Sequence, residues 1–118
     1  MINKTPLESV EQEELVRILK RLRVPYFAVP NGGSRRTVEA AALKRQGVVP
    51  GVPDLILPGP DARWRCLALE MKRAQGGYLS PEQVEMHQWL QACGWRVLVC
   101  YGCDDAVRQL TALGVLPG

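Results

Sequence analysis

The sequence contains one histidine, His87, among its 118 residues. A Ser–His–Asp triad needs a histidine beside a nucleophile, and an HExxH metal site needs two at helical spacing. Catalysis built on histidine is therefore nearly excluded, and we expect His87 to be a surface or packing residue of its helix. The loop of residues 31–34 lacks the GK[ST] ending of a phosphate-binding P-loop.

Long apolar runs are also missing. No stretch approaches the roughly 20 residues of a membrane-spanning helix, and the segment MINKTPLESVEQEELV has no signal-peptide core. We therefore expect a cytoplasmic protein without a membrane partner, folded as a single domain over residues 1–118. Hydrophobic residues make up 47% of the chain, enough for a core without disulfides, so the four cysteines are expected to be reduced thiols.

The net charge is only +3, so its distribution says more about partners than its total. Residues 8–14 carry four glutamates and no base. Residues 35–45 are basic, and we predict that their four cations contact DNA phosphates: Arg35, Arg36, Lys44 and Arg45. The glycine-rich loop before them either follows a phosphate backbone or is a solvated tip.

Hydrophobic periodicity and turn residues predict the order helix, short strand, helix, strand, strand, helix, strand, helix. The helices are predicted over residues 8–23, 37–46, 81–93 and 104–113, and the strands over 26–29, 54–57, 63–72 and 96–101. The second and third strands form a hairpin, and the crossover helix after them makes the last two strands parallel. The expected fold is α/β, a mixed β-sheet flanked by α-helices.

Charged residues stand at the ends of the two most apolar hairpin segments. Asp54 begins one strand, and Glu70 and Lys72 end the other. Residues i and i+2 of a strand share a face, so Glu70 and Lys72 point the same way and Met71 points to the opposite face. Antiparallel pairing can then bring Asp54 beside the Glu70–Lys72 pair.

Two adjacent carboxylates repel each other unless a cation lies between them. Carboxylate and carbonyl oxygens suit Mg²⁺ or Mn²⁺, and a nearby lysine can orient a water or stabilise charge on a phosphate. Two carboxylates with a bound cation and a nearby lysine suit metal-assisted phosphodiester hydrolysis. The alternative is a chance D…ExK spacing whose residues are solvated strand ends.

The segments GVPDLIL, ALEMK and LSPEQVEMHQWLQACGWRVLVCYG together resemble the VRR-NUC family of the PD-(D/E)xK nuclease superfamily. Upstream, YFAVPNGGSRR and KRQGVVPGVPD are similar to its stand-alone phage and bacterial members. The resemblance implies a restriction-endonuclease-like core and a Mg²⁺- or Mn²⁺-dependent DNA endonuclease without a small-molecule cofactor. It further implies a homodimer selective for branched DNA such as Holliday junctions, in the cytoplasm of a bacterial or phage-infected cell.

The resemblance also assigns roles to residues. Asp54 and Glu70 would be metal ligands, the backbone carbonyl of Met71 a further ligand, and Lys72 the catalytic lysine. Gln83 matches the glutamine that follows on the next helix. It equally fits a helix-capping box with Ser80, and the two roles can coexist.

The family further places a first-helix glutamate near the metals. Glu11 fits this position best, with Glu14 as the runner-up. Leu15 stands where the family often has a glutamine.

Two other functions stay open from the sequence. The first is a catalytically silent nucleic-acid-binding module on the same fold, against which the intact D…ExK argues. The second is a redox or metal-storage protein built on Cys100 and Cys103, whose C-x-x-C spacing lacks the second ligand pair of a zinc site.

Overall fold

The computed structural model describes residues 7–30, 37–59 and 66–118. Helices and strands follow one another in the predicted order. Their bounds are α1 (Glu8–Arg21), β1 (Phe27–Ala28), α2 (Thr37–Arg45), β2 (Leu55–Pro58), β3 (Cys66–Lys72), α3 (Pro81–Ala92), β4 (Arg96–Tyr101) and α4 (Cys103–Ala112). Where a predicted bound falls on described residues, it differs from the observed one by no more than two positions.

The end of α1 shows the physical reason for the largest of these differences. The helix stops at Arg21, two residues before the prediction, because Arg23 takes a left-handed φ of +57°. Pro25 lies just beyond and has no N–H with which to continue the helix. None of the helices among the described residues has the length and apolar character needed to span a bilayer.

The strands form one mixed sheet in the order β1-β2-β3-β4. The hairpin of β2 and β3 is antiparallel, with Leu55 opposite Leu69. The pair of β3 and β4 is parallel, with Lys72 opposite Tyr101. The predicted mixed sheet with flanking helices is therefore confirmed, and β3 is a central strand whose residues are all buried.

The two faces of β3 have different environments. Leu67, Leu69 and Met71 belong to the larger core, which includes Leu15 of α1 and Leu110 of α4. Cys66 and Ala68 face the other way and pack with a smaller cluster around Ile56. Because side chains alternate along a strand, Glu70 and Lys72 continue this second face, where α3 lies.

The loop that leads into β2 crosses the N-terminus of α3. At Gly51, φ is +89°, and a Cβ would lie 2.4 Å from the backbone oxygen of Glu82. A residue with a side chain would collide with the helix backbone and would also resist this φ. This close approach fixes the start of β2, and so Asp54, relative to α3.

Candidate active site

Asp54 and Glu70 meet at one end of the hairpin. The last ladder pair, Leu55 with Leu69, places them next to each other on the face that α3 covers. The backbone N–H of Met71 donates to Oδ2 of Asp54 at 2.7 Å, and Asp54 is close enough to Glu70 to raise the pKa of its carboxyl group. The structure therefore brings together the two carboxylates that the hairpin pattern predicts.

Glu70 is nearly inaccessible to water, with 2% of its surface exposed. Burial, with a contribution from the neighbouring Asp54, raises the pKa of Glu70 to about 9; the charge of Lys72 acts in the opposite direction. Without a metal, the carboxyl group of Glu70 is therefore protonated at neutral pH. One proton then offsets the repulsion that two bare carboxylates would suffer.

The backbone of β3 presents Met71 to the same place. Within a strand, the N–H and C=O of one residue point to the same side, and successive residues alternate. The N–H of Met71 points to Asp54, whereas the carbonyl of Lys72 accepts from Gly102 N–H beyond β4 at 2.9 Å. The carbonyl of Met71 consequently points to the side of Asp54.

Gln83 connects Lys72 to Glu70. Its Oε1 accepts from Nζ of Lys72 at 2.9 Å, and its Nε2 donates to Oε2 of Glu70 at 3.2 Å. The same Oε1 accepts from the Ser80 N–H at 2.9 Å, and Oγ of Ser80 accepts from the Gln83 N–H at 3.2 Å. The capping box and the contacts with the charged pair therefore exist together, because the first turn of α3 lies directly over the end of β3.

His87 is the residue of this site that the sequence did not reveal. It is 5% exposed, and its Nε2 lies 3.0 Å from Oε1 of Glu70. The prediction that His87 lies on the surface is therefore wrong. The alternative, a packing residue, omits the contact with Glu70. Burial, followed by the charge of Lys72, lowers the pKa of His87, so its imidazole is neutral at pH 7. The signal was the spacing: His87 follows Gln83 by one helical turn and so shares its face.

The donor set suits a small divalent cation. Residues 7–30, 37–59 and 66–118 contain no cluster of three or more His, Cys, Asp or Glu side chains that could hold a metal. Mg²⁺ needs no such cluster, because it keeps several waters and is commonly held by one or two carboxylates. Asp54 and Glu70 with the carbonyl of Met71 meet that requirement.

Glu11 and Glu14 lie elsewhere. Glu11 is buried, and its Oε1 accepts from the backbone N–H of Cys103 at 3.2 Å, at the first residue of α4. Glu11 and Glu14 both raise the pKa of the Cys103 thiol through their charges. The N-terminal amides of α4 attract the Glu11 carboxylate, as helix N-termini attract anions. Among the described residues, neither glutamate forms a cluster with Asp54 and Glu70 that could hold a metal, and a metal ligand on α1 stays a prediction.

Gly102 allows this approach of Glu11. A Cβ at Gly102 would lie 2.8 Å from Oε2 of Glu11, and its φ is +95°. The glutamate of α1 whose charge acts on Glu70 is instead Glu8, which contributes to the raised pKa of Glu70. Glu8 and Glu11 are one helical turn apart, so the pattern of α1 alone did not distinguish them.

The predicted basic segment is described in part. Lys44 and Arg45 form the exposed last turn of α2. Arg35 and Arg36 lie outside the described residues, as do residues 31–34. Two adjacent exposed cations at a helix end suit contact with a phosphate backbone.

The C-x-x-C cysteines are not poised for redox chemistry. Cys100 and Cys103 are free and buried. Burial raises the pKa of Cys100 to about 12 and that of Cys103 to about 11. Because the thiolate is the reactive form, these thiols are inert at neutral pH.

Comparison with known proteins identifies one matching family model and a similar solved structure. The family model of the VRR-NUC domain matches residues 7–104. A solved structure described as a VRR_NUC domain protein is 27% identical, covers 93% of this chain and 89% of its own, and superposes with a TM-score of 0.77. No curated protein matches the chain significantly.

Proposed function

The chain belongs to the VRR-NUC family, and from this premise we propose that it is a Mg²⁺- or Mn²⁺-dependent endonuclease that hydrolyses phosphodiester bonds in DNA. The observation that carries the proposal is the site at the end of the hairpin. Asp54 and Glu70 lie next to each other there, and Gln83 joins Glu70 to Lys72. Family membership implies a nuclease domain acting on nucleic acid; the metal, the mode of cleavage and the choice of DNA are our proposals.

Each residue has a distinct part in the proposed reaction. Asp54 and Glu70 would provide the negative oxygens for the cation, and the Met71 carbonyl would add a neutral one. A bound ion supplies Lewis acidity towards the phosphate and makes water a better nucleophile. Lys72, held by Gln83, places its ammonium where it can orient the attacking water or stabilise charge on the phosphate oxygens.

We propose branched DNA, such as a four-way junction, as the preferred substrate and a homodimer as the active form. A 118-residue chain offers little surface for several duplex arms. Two copies related by a two-fold axis would present two sites to a substrate with similar symmetry. Lys44 and Arg45 are proposed to contact its phosphates. We also propose that the protein acts in the cytoplasm, where its four free cysteines would stay reduced.

The test compares defined DNA substrates. Labelled duplex, single-stranded, flap and four-way junction DNA are each incubated with protein and Mg²⁺, Mn²⁺ or EDTA, while light scattering at several concentrations reports the oligomeric state. We expect cleavage with either metal, none with EDTA, and the fastest reaction on the junction. The Glu70→Gln variant should not cleave, whereas Glu85→Gln, an equivalent change at an exposed position of α3, should cleave normally.

The other possible outcomes favour other functions. Tight DNA binding without cleavage under any metal condition would support the silent binding module. Loss of cleavage in the double variant Cys100→Ser, Cys103→Ser, with the fold retained, would support a role for the cysteines. Equal cleavage of all substrates would support nuclease activity and would refute the proposed selectivity for branched DNA.

A further inference from the structure

His87 and Gln83 form two adjacent contacts on one carboxylate. They stand one turn apart on α3, and each bonds a different oxygen of Glu70: His87 at Oε1, 3.0 Å away, and Gln83 at Oε2, 3.2 Å away. Both oxygens of the Glu70 carboxylate are thus held from the same helix face. Such contacts limit rotation of the carboxylate about its side-chain bonds.

The contact with Glu70 determines which ring nitrogen of His87 carries a hydrogen. An ionised carboxylate has no hydrogen to donate, so Nε2 of His87 must carry one whenever Glu70 is ionised. A neutral imidazole then orients the carboxylate without cancelling its charge. An arginine or lysine at this position would offer the same hydrogen bond but would repel a cation at Glu70.

We propose that His87 is a positioning residue that holds Glu70 in the orientation in which it binds a divalent metal ion. This inference rests on the proposed function, because it takes Glu70 as a ligand. In this role the buried His87 acts through Glu70 and not on the substrate. Residues that orient metal ligands in this way typically contribute about 10- to 100-fold to metal affinity or activity.

Two substitutions separate the hydrogen bond from packing. His87→Leu keeps an apolar side chain in the buried position and removes the donor. His87→Gln places an amide N–H near the position of Nε2 and restores it. Met86→Ala is the control, because Met86 is buried next to His87 on α3 and its loss weakens packing without removing a hydrogen bond to Glu70.

The primary measurement is Mn²⁺ binding to the metal-free protein by calorimetry, without DNA and at one pH. Thermal unfolding establishes that each variant is folded at the temperature used. We expect His87→Leu to weaken Mn²⁺ binding about 10- to 100-fold. His87→Gln should recover most of the loss, and Met86→Ala should bind Mn²⁺ as the wild type does.

A second measurement relates the contact to cleavage. In single-turnover assays with increasing Mg²⁺, His87→Leu should require a higher Mg²⁺ concentration for half-maximal rate, while DNA affinity in EDTA stays unchanged. Wild-type protein that binds Mn²⁺ but cuts no DNA would refute the proposed nuclease, while the dependence of binding on His87 would still support the positioning role.

Four results would overturn the positioning role. Three of them are wild-type Mn²⁺ affinity in folded His87→Leu, an equal loss in Met86→Ala, and no Mn²⁺ binding by the wild-type protein. A His87→Gln variant that is folded but no better than His87→Leu would also refute it, because it restores the donor.

Discussion

The raised pKa of Glu70 should make the stability of the metal-free protein depend on pH. The pKa of Glu70 rises from 4.5 to about 9 on folding. Below pH 4.5 both the folded and the unfolded chain hold the proton. Between pH 4.5 and about pH 9 only the folded chain holds it. Because the unfolded state binds fewer protons there, the free energy of unfolding falls as the pH rises, and this contribution is lost as the pH passes the folded-state pKa.

The size of the effect follows from one proton. The ideal slope is about 1.4 kcal/mol per pH unit. His87, with a pKa lowered from 6.5, contributes in the opposite direction below that value, so the comparison starts at pH 7. Between pH 7 and pH 8.5 we expect Glu70 to account for a loss of about 1–2 kcal/mol, below the ideal limit because the folded-state carboxyl group begins to ionise as the pH approaches about 9.

The assay is urea unfolding in EDTA at pH 7, 7.75 and 8.5. Glu70→Gln is the perturbation, because it keeps the shape of the side chain and removes the ionisable group. Its stability should fall less steeply with pH than that of the wild type, and at pH 8.5 it should be the more stable protein. Glu85→Gln, at an exposed position of α3, should keep the wild-type slope. Parallel pH profiles for wild type and Glu70→Gln would refute the raised pKa of Glu70.

Three further predictions concern the basic end of α2 and two glutamates of α1. The double change Lys44→Ala, Arg45→Ala should weaken binding to all DNA sequences alike and reduce the slope of log affinity against log salt by about 2, measured by fluorescence anisotropy; an unchanged slope would leave this turn of α2 as solvated surface. Glu8→Gln should weaken Mn²⁺ binding severalfold with little effect on stability, because it removes a negative charge near Glu70. Glu11→Gln should chiefly lower the free energy of unfolding, by about 1 kcal/mol, because it weakens a charged hydrogen bond at the start of α4; the reverse pattern in calorimetry and urea unfolding would assign the metal to Glu11.

The hairpin shows how far local sequence rules extend. Asp54 and Glu70 could be predicted to meet because strand alternation and antiparallel pairing depend only on periods and turns. The same rules placed Lys72 on the face of Glu70 and Met71 on the other. The confirmed order of helices and strands has the same origin, since Ser80, Pro81 and Gly94 mark the ends of α3 in the sequence itself.

The contacts between α1 and the rest of the fold could not be obtained in this way. Glu8, Glu11 and Glu14 all lie on the first turns of one helix, and their spacing does not say how the helix is rotated over the sheet. The start of α4 determines the outcome, because the Cys103 N–H lies 92 positions away in sequence and binds Glu11. Such a long-range contact leaves no local pattern.

His87 illustrates a different limit. A lone histidine on a helix gives no indication of its partner until the helix is placed on the sheet. The shared face with Gln83 was readable, but the burial of His87 and its bond with Glu70 arise from the close crossing of α3 over β3. Side chains that act on a neighbour across two elements are therefore the part of the site that sequence reasoning misses most readily.

Single-turnover cleavage by Lys72→Met tests the central claim most directly. A four-way junction is cut at saturating Mg²⁺, with Mn²⁺ binding measured by calorimetry and DNA binding by anisotropy in EDTA. We predict that Lys72→Met keeps both affinities and loses about 100-fold or more in rate, as when other charge-stabilising or proton-transfer groups are removed. Lys72→Arg should also be slow, because the guanidinium keeps the charge but not the compact ammonium or its ability to release a proton. Cleavage by Lys72→Met at nearly the wild-type rate would contradict the proposed mechanism.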